Sequence, residues 1–456
     1  MRMSRRAFCV GMLLLMANGG IAMEQGRKWK GGVARSVITP QKPIWLAGYA
    51  NREHPAEGKL HDLWAKALAL EDAKGSRSVL LTSDLCGIPK WMFESVCEKM
   101  KRKHGLERSQ IRLTYSHNHC APVVRGELEC YYPLDETQRR LIDEYSRWLE
   151  ETILATMEKA LSAMKPAKLF AGEGICTFAV NRRNNRESEV PQILAHGEKP
   201  KGPVEHSVPV LAVQDENGEL MAIVFAYACH NTTLNFYQWC GDYAGFAQME
   251  LEATYPQAVA MFVAGCGGDQ NPIPRRSVEL CQKYGRMLAN VVKEVLKRPM
   301  RPLTPEFKGA FAFVNLDYEQ VMTIADLEQA LRSETPHRRR WAEQMLRMLD
   351  EGKQFDSSYP YALQVWRLGD QIWIALGGEA LVDYALRFRR EFGERVWVTS
   401  YAHDLTGYIP SRRNLEEGGY EVNCLWEYGH PAERWAFDVE ERIAETVAKL
   451  VKDVSG

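Results

Sequence analysis

Short apolar, β-branched runs in this chain stop repeatedly at turns rich in His, Gly or acidic residues, a pattern that leaves few folds open. Ser78–Ser83 (SVLLTS) ends at Asp84 and reads as a buried strand. Ile111–Tyr115 runs into a His-rich turn, and Ala258–Ala264 into a Gly-rich one. Val208–Val213 and Met221–Ala228 flank Asp215-Glu216-Asn217-Gly218, a hairpin signal. Leu363–Leu368 and Gln371–Leu376 flank Gly369-Asp370 in the same way. Helical patterns lie between. From Asp135 to Met164, Leu141, Tyr145, Leu149, Ile153, Met157 and Leu161 recur every four residues, and Pro166 is expected to close that helix. Tyr318 to Gln354 predicts two charged helices broken near Pro336, a surface elaboration, and Phe437 to Val451 predicts a terminal helix. This irregular alternation predicts an α/β protein with layered mixed β-sheets flanked by helices. No Pro/Ser-rich linker divides the chain, so a single large catalytic domain is expected over residues 23–456.

Charge removes several function classes. The 456 residues carry 58 Lys and Arg against 59 Asp and Glu, a net charge of −1. A nucleic-acid partner calls for a basic excess. A disordered chain would need low apolar content, and this one is 45% hydrophobic. Outside the N-terminus no run of about 18 apolar residues suggests a membrane span. The first 22 residues read as an export signal: Arg2, Arg5 and Arg6, a short apolar stretch from Phe8 to Met16, then small residues to Ala22. Ser4-Arg5-Arg6-Ala7-Phe8 is similar to a twin-arginine signal, so a periplasmic or secreted protein is expected. Ten of the 11 Cys follow Cys9 with no compact spacing and no C-x-x-C pair, and mostly structural thiols are expected.

Candidate site residues gather at the strand ends. Ser116-His117-Asn118-His119-Cys120 follows a strand directly; in extended backbone His117 and His119 would point the same way. Such a pair either shares a metal, divides between ligand and acid–base roles, or is purely structural. His230 ends the strand Met221–Ala228, where ligands collect in open sheets. Asp242, in Gly241-Asp242-Tyr243, either caps a helix or faces a substrate. Asp269 and Gln270 lie in a Gly-rich turn, Gly265-Cys266-Gly267-Gly268-Asp269-Gln270-Asn271, that could bring backbone N–H groups to a substrate oxygen. That turn lacks the Lys-Ser/Thr ending of a phosphate loop. Glu379, after Gly377-Gly378, is either a helix-start carboxylate or a metal ligand. Tyr408 and Tyr420 stand 12 residues apart in Gly-rich loops.

Taken in order, from Val37-Ile38-Thr39-Pro40 and Gly48-Tyr49-Ala50 to the Tyr420 loop, these pieces resemble the catalytic domain of neutral/alkaline non-lysosomal ceramidases. Where that family carries T-H-T-H-S-G-P, this chain has S-H-N-H-C-A-P. The family's N-R pair matches Asn181-Arg182, and its later Glu and Tyr pair match Glu379, Tyr408 and Tyr420. The resemblance implies one zinc ion held by His117, His230, Glu379 and Tyr408. It implies that His119, Arg182 and Tyr420 contact substrate or oxyanion. The implied activity is hydrolysis of an amide (N-acyl) bond by a metal-activated water.

Two departures bear on that activity. Asn271 stands where the family's G-D-V-S-P turn has Ser, and an amide cannot form an acyl-enzyme. Cys120 replaces a Ser and is either a buried thiol or a nucleophile. The chain also stops where the family's C-terminal immunoglobulin-like domain would begin. The expected partner is a small-molecule, lipid-like or glycan substrate. Two other readings remain at this stage. One is a carbohydrate hydrolase using the same metal, with Trp45, Trp239 and Trp426 for sugar stacking. The other is an inactive binding protein that retains the pocket.

Overall fold

The computed structural model describes residues 28–456; the export signal expected over 1–22 lies outside them. The expected α/β layering is present. Twelve strands follow one another across a large mixed sheet, and a thirteenth, Arg301–Leu303, pairs beside Lys165–Ile175. From one edge the order is Val259–Ala264, Leu220–Tyr227, Ser207–Asp215, Lys165–Ile175, Trp29–Val37 and Trp64–Glu71. It continues through Arg77–Ser83, Ile111–Tyr115, Trp397–Ala402, Gln371–Gly377, Ser358–Leu368 and Phe307–Asp317. A bridge from Gly265 to Thr399 ties the first edge back toward Trp397–Ala402, so the sheet curls on itself.

Curling buries both faces, which is why the strands read as near-continuous apolar runs. Along Leu220–Tyr227, Ala222, Val224 and Ala226 face an inner cluster with Leu68, Leu80, Leu169 and Val263. Ile223, Phe225 and Tyr227 face the opposite cluster, under the helices. The period-two alternation thus separates two apolar faces rather than core from solvent. Glu136–Ser162, Asp242–Thr254 and Val278–Lys297 supply the helical layer on that side. Val382–Phe392 and Val439–Ser455 cover the hairpin Ser358–Leu368/Gln371–Gly377.

Three local expectations need correction. The long helix stops at Ser162, and Pro166 does not close it: it is the second residue of the strand Lys165–Ile175, near the strand start where Pro is tolerated. Between Tyr318 and Gln354 the helices Ile324–Ala330 and Pro336–Asp350 form as expected, with Pro336 at the helix start. Their inner face is not a surface feature, however. Trp341 is fully buried, donates its indole N–H to His430 O at 3.0 Å, and lies beside Trp426. Finally, Glu379 opens no helix; it lies in the two-residue strand Glu379–Ala380, ahead of Val382–Phe392.

The ten cysteines from Cys86 to Cys424 are free and buried, as expected of structural thiols. Burial raises Cys120 far above an ordinary thiol, which removes its nucleophilic reading.

Two imidazoles are locked neutral in the core. His403 is fully buried against Phe93 and Phe311, with neither ring nitrogen hydrogen-bonded. Burial, aided by the charges of Arg112 and Arg108, pushes it down to about 3. His430 accepts from Tyr318 O–H at Nδ1 and donates from Nε2 to Thr406 O. Burial pushes it down to about 4, against the pull of that carbonyl. Unfolded, both titrate near 6.5, so below that pH the unfolded chain binds more protons. Their contribution to stability is therefore full above pH ~6.5 and is lost as pH falls through that value toward 4 and 3. Melting followed by circular dichroism in chelator should show Tm falling below pH ~6.5, less steeply in His403→Leu. Parallel curves for the two proteins would refute the assignment.

Candidate metal centre

Parallel pairing brings several strand ends to one place. Arg77–Ser83 runs parallel to Ile111–Tyr115, Leu220–Tyr227 to Val259–Ala264, and Gln371–Gly377 to Trp397–Ala402. Ala402 pairs with Thr114, which joins two of these ends, and a bridge between Asn118 and Asn231 joins the two histidine loops. Asn231 Nδ2 donates to Ser116 O at 2.6 Å and reinforces that junction. Glu379 and Tyr408 are register partners in a two-stranded parallel pair, so carboxylate and phenol arrive together. That pairing needs Gly378: its φ is +56°, and a Cβ there would sit 2.5 Å from Gly407 O.

At the centre, Glu379 Oε2 lies 3.1 Å from His117 Nε2 and 3.1 Å from His230 Nε2. His230 Nε2 is 3.2 Å from the Tyr408 hydroxyl, and His117 Nε2 is 3.2 Å from His119 Nε2. His117 Nδ1 donates to Cys86 O at 2.7 Å, and His230 Nδ1 donates to Gly267 O at 2.7 Å. Each carbonyl can only accept, so it fixes the proton on Nδ1 and turns the Nε2 lone pair inward. Two lone pairs and a carboxylate oxygen therefore face one another. Glu379 Oε2 is buried and has no hydrogen-bond partner. Burial opposes charge on His117, yet the Glu379 carboxylate beside it wins and raises its pKa. His230, with burial and the Arg182 charge against it, falls to about 4. These residues could hold a cation: N and O donors converge on one point with an orphaned anionic oxygen.

A second group, Cys86, His117 and His119, also lies within ligand reach. In it the Cys86 sulfur lies 3.9 Å from His117 Nδ1, the nitrogen already spent on Cys86 O. Burial raises the Cys86 thiol well above its ordinary range, so it offers no thiolate. The His117, His230 and Glu379 group is the better cation site.

A family model described as neutral/alkaline non-lysosomal ceramidase, N-terminal, matches residues 29–273. The chain belongs to that family. It is 25% identical over 240 residues to a neutral ceramidase of Pseudomonas aeruginosa, covering 51% of this chain and 35% of that protein. It is 23% identical over 255 residues to a neutral ceramidase of Drosophila pseudoobscura, covering 54% and 35%. Each match thus spans about a third of its relative's length. The crystal structure of the neutral ceramidase from Pseudomonas aeruginosa superposes with a TM-score of 0.70 at 18% identity, covering 93% of this chain and 74% of that one. A ceramidase complexed with C2 gives 0.71 at 16%. These likenesses establish a shared ceramidase fold.

Within that fold the remaining sequence candidates separate. His117 and His119 do meet, but not through extended backbone: His117 has φ 57°, a left-handed conformation. Gly48 makes room for the second ring, since a Cβ there would lie 2.3 Å from His119 Cγ. Arg182 reaches Tyr408 Oη at 3.0 Å, Glu421 Oε1 at 2.8 Å and Asn271 Oδ1 at 3.4 Å. Asn271 is placed beside it by the pairing of Gln270–Pro272 with Ala179–Asn181. Tyr420 packs edge-on to Tyr408 at 5.7 Å, half-exposed, and donates to Glu427 at 2.8 Å.

Asp242, Asp269 and Gln270 stand behind the site as supports, each buried. Asp242 accepts from Leu234 N and Tyr243 N. Asp269 accepts from Val382 N at a helix start and from Asn181 Nδ2. Gln270 binds Ala228 O and Glu205 N. Their polar atoms are committed to backbone groups, to Asn181 and, for Asp242, to the Cys281 thiol, so the structure lends no support to the expectation of substrate contact.

Sequence reading missed three residues. Tyr428 donates to Glu379 Oε1 at 2.6 Å, Tyr401 lies over His117 with ring centroids 4.9 Å apart, and Glu421 clamps Arg182. Glu421 is adjacent to Tyr420 in the Gly-rich loop; Tyr401 and Tyr428 had no motif to mark them. The three tryptophans offered for sugar stacking are buried, so a sugar face has no access to them. Trp45 packs on Tyr132, and Trp426 on His337.

Proposed function

We propose that this ceramidase-family protein is a zinc-dependent hydrolase of an amide (N-acyl) bond. The observation that carries the reading is the convergence of His117 Nε2, His230 Nε2 and the orphaned Glu379 Oε2. These three and the Tyr408 hydroxyl would hold the cation. A bound zinc ion supplies Lewis acidity and lowers the pKa of water to near 7.

The chain's own groups divide the remaining work. Cys86 O and Gly267 O keep the ligand imidazoles in their ligating tautomers. His119, with Nε2 toward the centre and Nδ1 unpartnered, carries the proton between water and leaving amine. Arg182 presents donors where a carbonyl oxygen gains charge. Tyr420 walls the entrance. Asn271, in place of the family's Ser, orients substrate or water and makes no covalent bond. The buried tryptophans leave the carbohydrate reading without support. Export follows from the layout of residues 1–22, and lipid-like substrates from the names of the relatives. Among the described residues no helix is long and apolar enough to cross a membrane.

The test is a panel of N-acyl compounds and glycosides, assayed with zinc and with chelator. Chelator-sensitive amide cleavage is expected. Asn271→Ala should lower turnover while zinc content stays at one per chain. Glycoside cleavage, amide cleavage indifferent to chelator, or no turnover across the panel would overturn the proposal.

A further inference from the structure

A cleft of about 630 Å³ opens beside Arg182 and Asn271. Of its twelve lining residues only Ile273 and Tyr420 have an aliphatic or aromatic side chain. Six are charged: Arg182, Arg183 and Arg275 against Glu187, Glu417 and Glu421. These pair off. Arg275 makes a two-pronged contact with Glu187, Arg182 and Arg183 share Glu421, and Arg183 also reaches Glu417. A long acyl chain gains affinity only from apolar walls, and this approach is built from ion pairs.

The next residue, Arg276, breaks the balance. It is exposed, lies just outside the lining of that cleft, and among the described residues has no carboxylate within ion-pair distance. Its backbone is held at φ 88°, a conformation few side chains tolerate, by a 2.7 Å bond from Arg276 N to Thr233 O. The guanidinium is fixed as well: Nη1 donates to Tyr49 Oη at 2.9 Å. Tyr49 meets His119 edge-on with ring centroids 4.5 Å apart. One aromatic ring therefore separates a preorganised, unpaired cation from the proposed proton carrier. Backbone strain kept at a site rim is an arrangement associated with ligand recognition.

We infer that Arg276 binds a carboxylate carried by the substrate, so that the preferred substrate is an anionic amide rather than a neutral lipid. This rests on the amide-hydrolase reading for the chemistry, but the anion site stands on its own geometry. The test uses zinc-loaded full chain and two probes that differ by one charge, N-acetylglycine and N-acetylglycinamide. Calorimetric titration should show the anion binding about tenfold tighter, as expected of a charge-assisted contact. Arg276→Gln should abolish that preference and leave neutral-probe affinity and melting temperature unchanged; Arg276→Lys should retain part of it. Equal binding of both probes, binding of neither, or a preference that survives in Arg276→Gln overturns the inference. Turnover in the same samples separates the two claims. An anion bound through Arg276 but never cleaved sinks the hydrolase reading alone, whereas cleavage of both probes with equal KM sinks the anion site alone.

Discussion

Replacing His117 or His230 with Ala is expected to abolish stoichiometric zinc binding. Each imidazole supplies one of few strong donors, and both point Nε2 at Glu379 Oε2 from 3.1 Å. Losing an outer-sphere partner of a metal ligand costs about 10–100-fold in affinity, so losing the ligand itself should cost more. Metal analysis after dialysis reads the result directly. His230→Ala and Cys86→Ala together decide between the two clusters. His230 belongs only to the group with Glu379, and Cys86 only to the group with His119. Cys86→Ala keeps the backbone carbonyl that orients His117, so it should keep its zinc. Full occupancy in His230→Ala, or loss of metal in Cys86→Ala alone, would reverse the assignment.

Arg182→Ala should leave zinc in place and lower kcat by about 10²–10³-fold, the usual effect of losing a donor aimed at a developing oxyanion. Arg182 links the phenol of Tyr408, the amide of Asn271 and the carboxylate of Glu421. Its removal does not orphan Glu421, because Arg183 Nη1 still donates to that carboxylate at 2.7 Å. The fold should therefore survive, and Tm should change little. Arg182→Lys should not restore activity, since an ammonium cannot serve three acceptors in the geometry of a planar fork. An unchanged kcat would remove Arg182 from the chemistry. Loss of zinc would show that it acts by holding Tyr408 in place.

By itself the sequence determined the elements and the kinds of group at their ends. Runs such as Ile111–Tyr115 and Met221–Ala228 read as buried strands, because they are too short for a typical helix, rich in β-branched and aromatic residues, and end at turn signals. The four-residue recurrence from Leu141 to Leu161 required a helix. The order of His117, His230, Glu379 and Tyr408, read against a resemblance, nominated a metal centre. Distance along the chain, however, says nothing about distance in space. Only the parallel register that sets Glu379 beside Tyr408, and the Asn118–Asn231 bridge, bring those groups together. Only tertiary packing decided that Asp242, Asp269 and Gln270 face backbone, and that three tryptophans lie sealed in cores. The local signal at those positions is ambiguous, because a polar turn residue can serve a ligand or a neighbouring N–H equally well. Which of the two it serves depends on what segments far away in the chain place beside it, a long-range contact that local periodicity cannot encode.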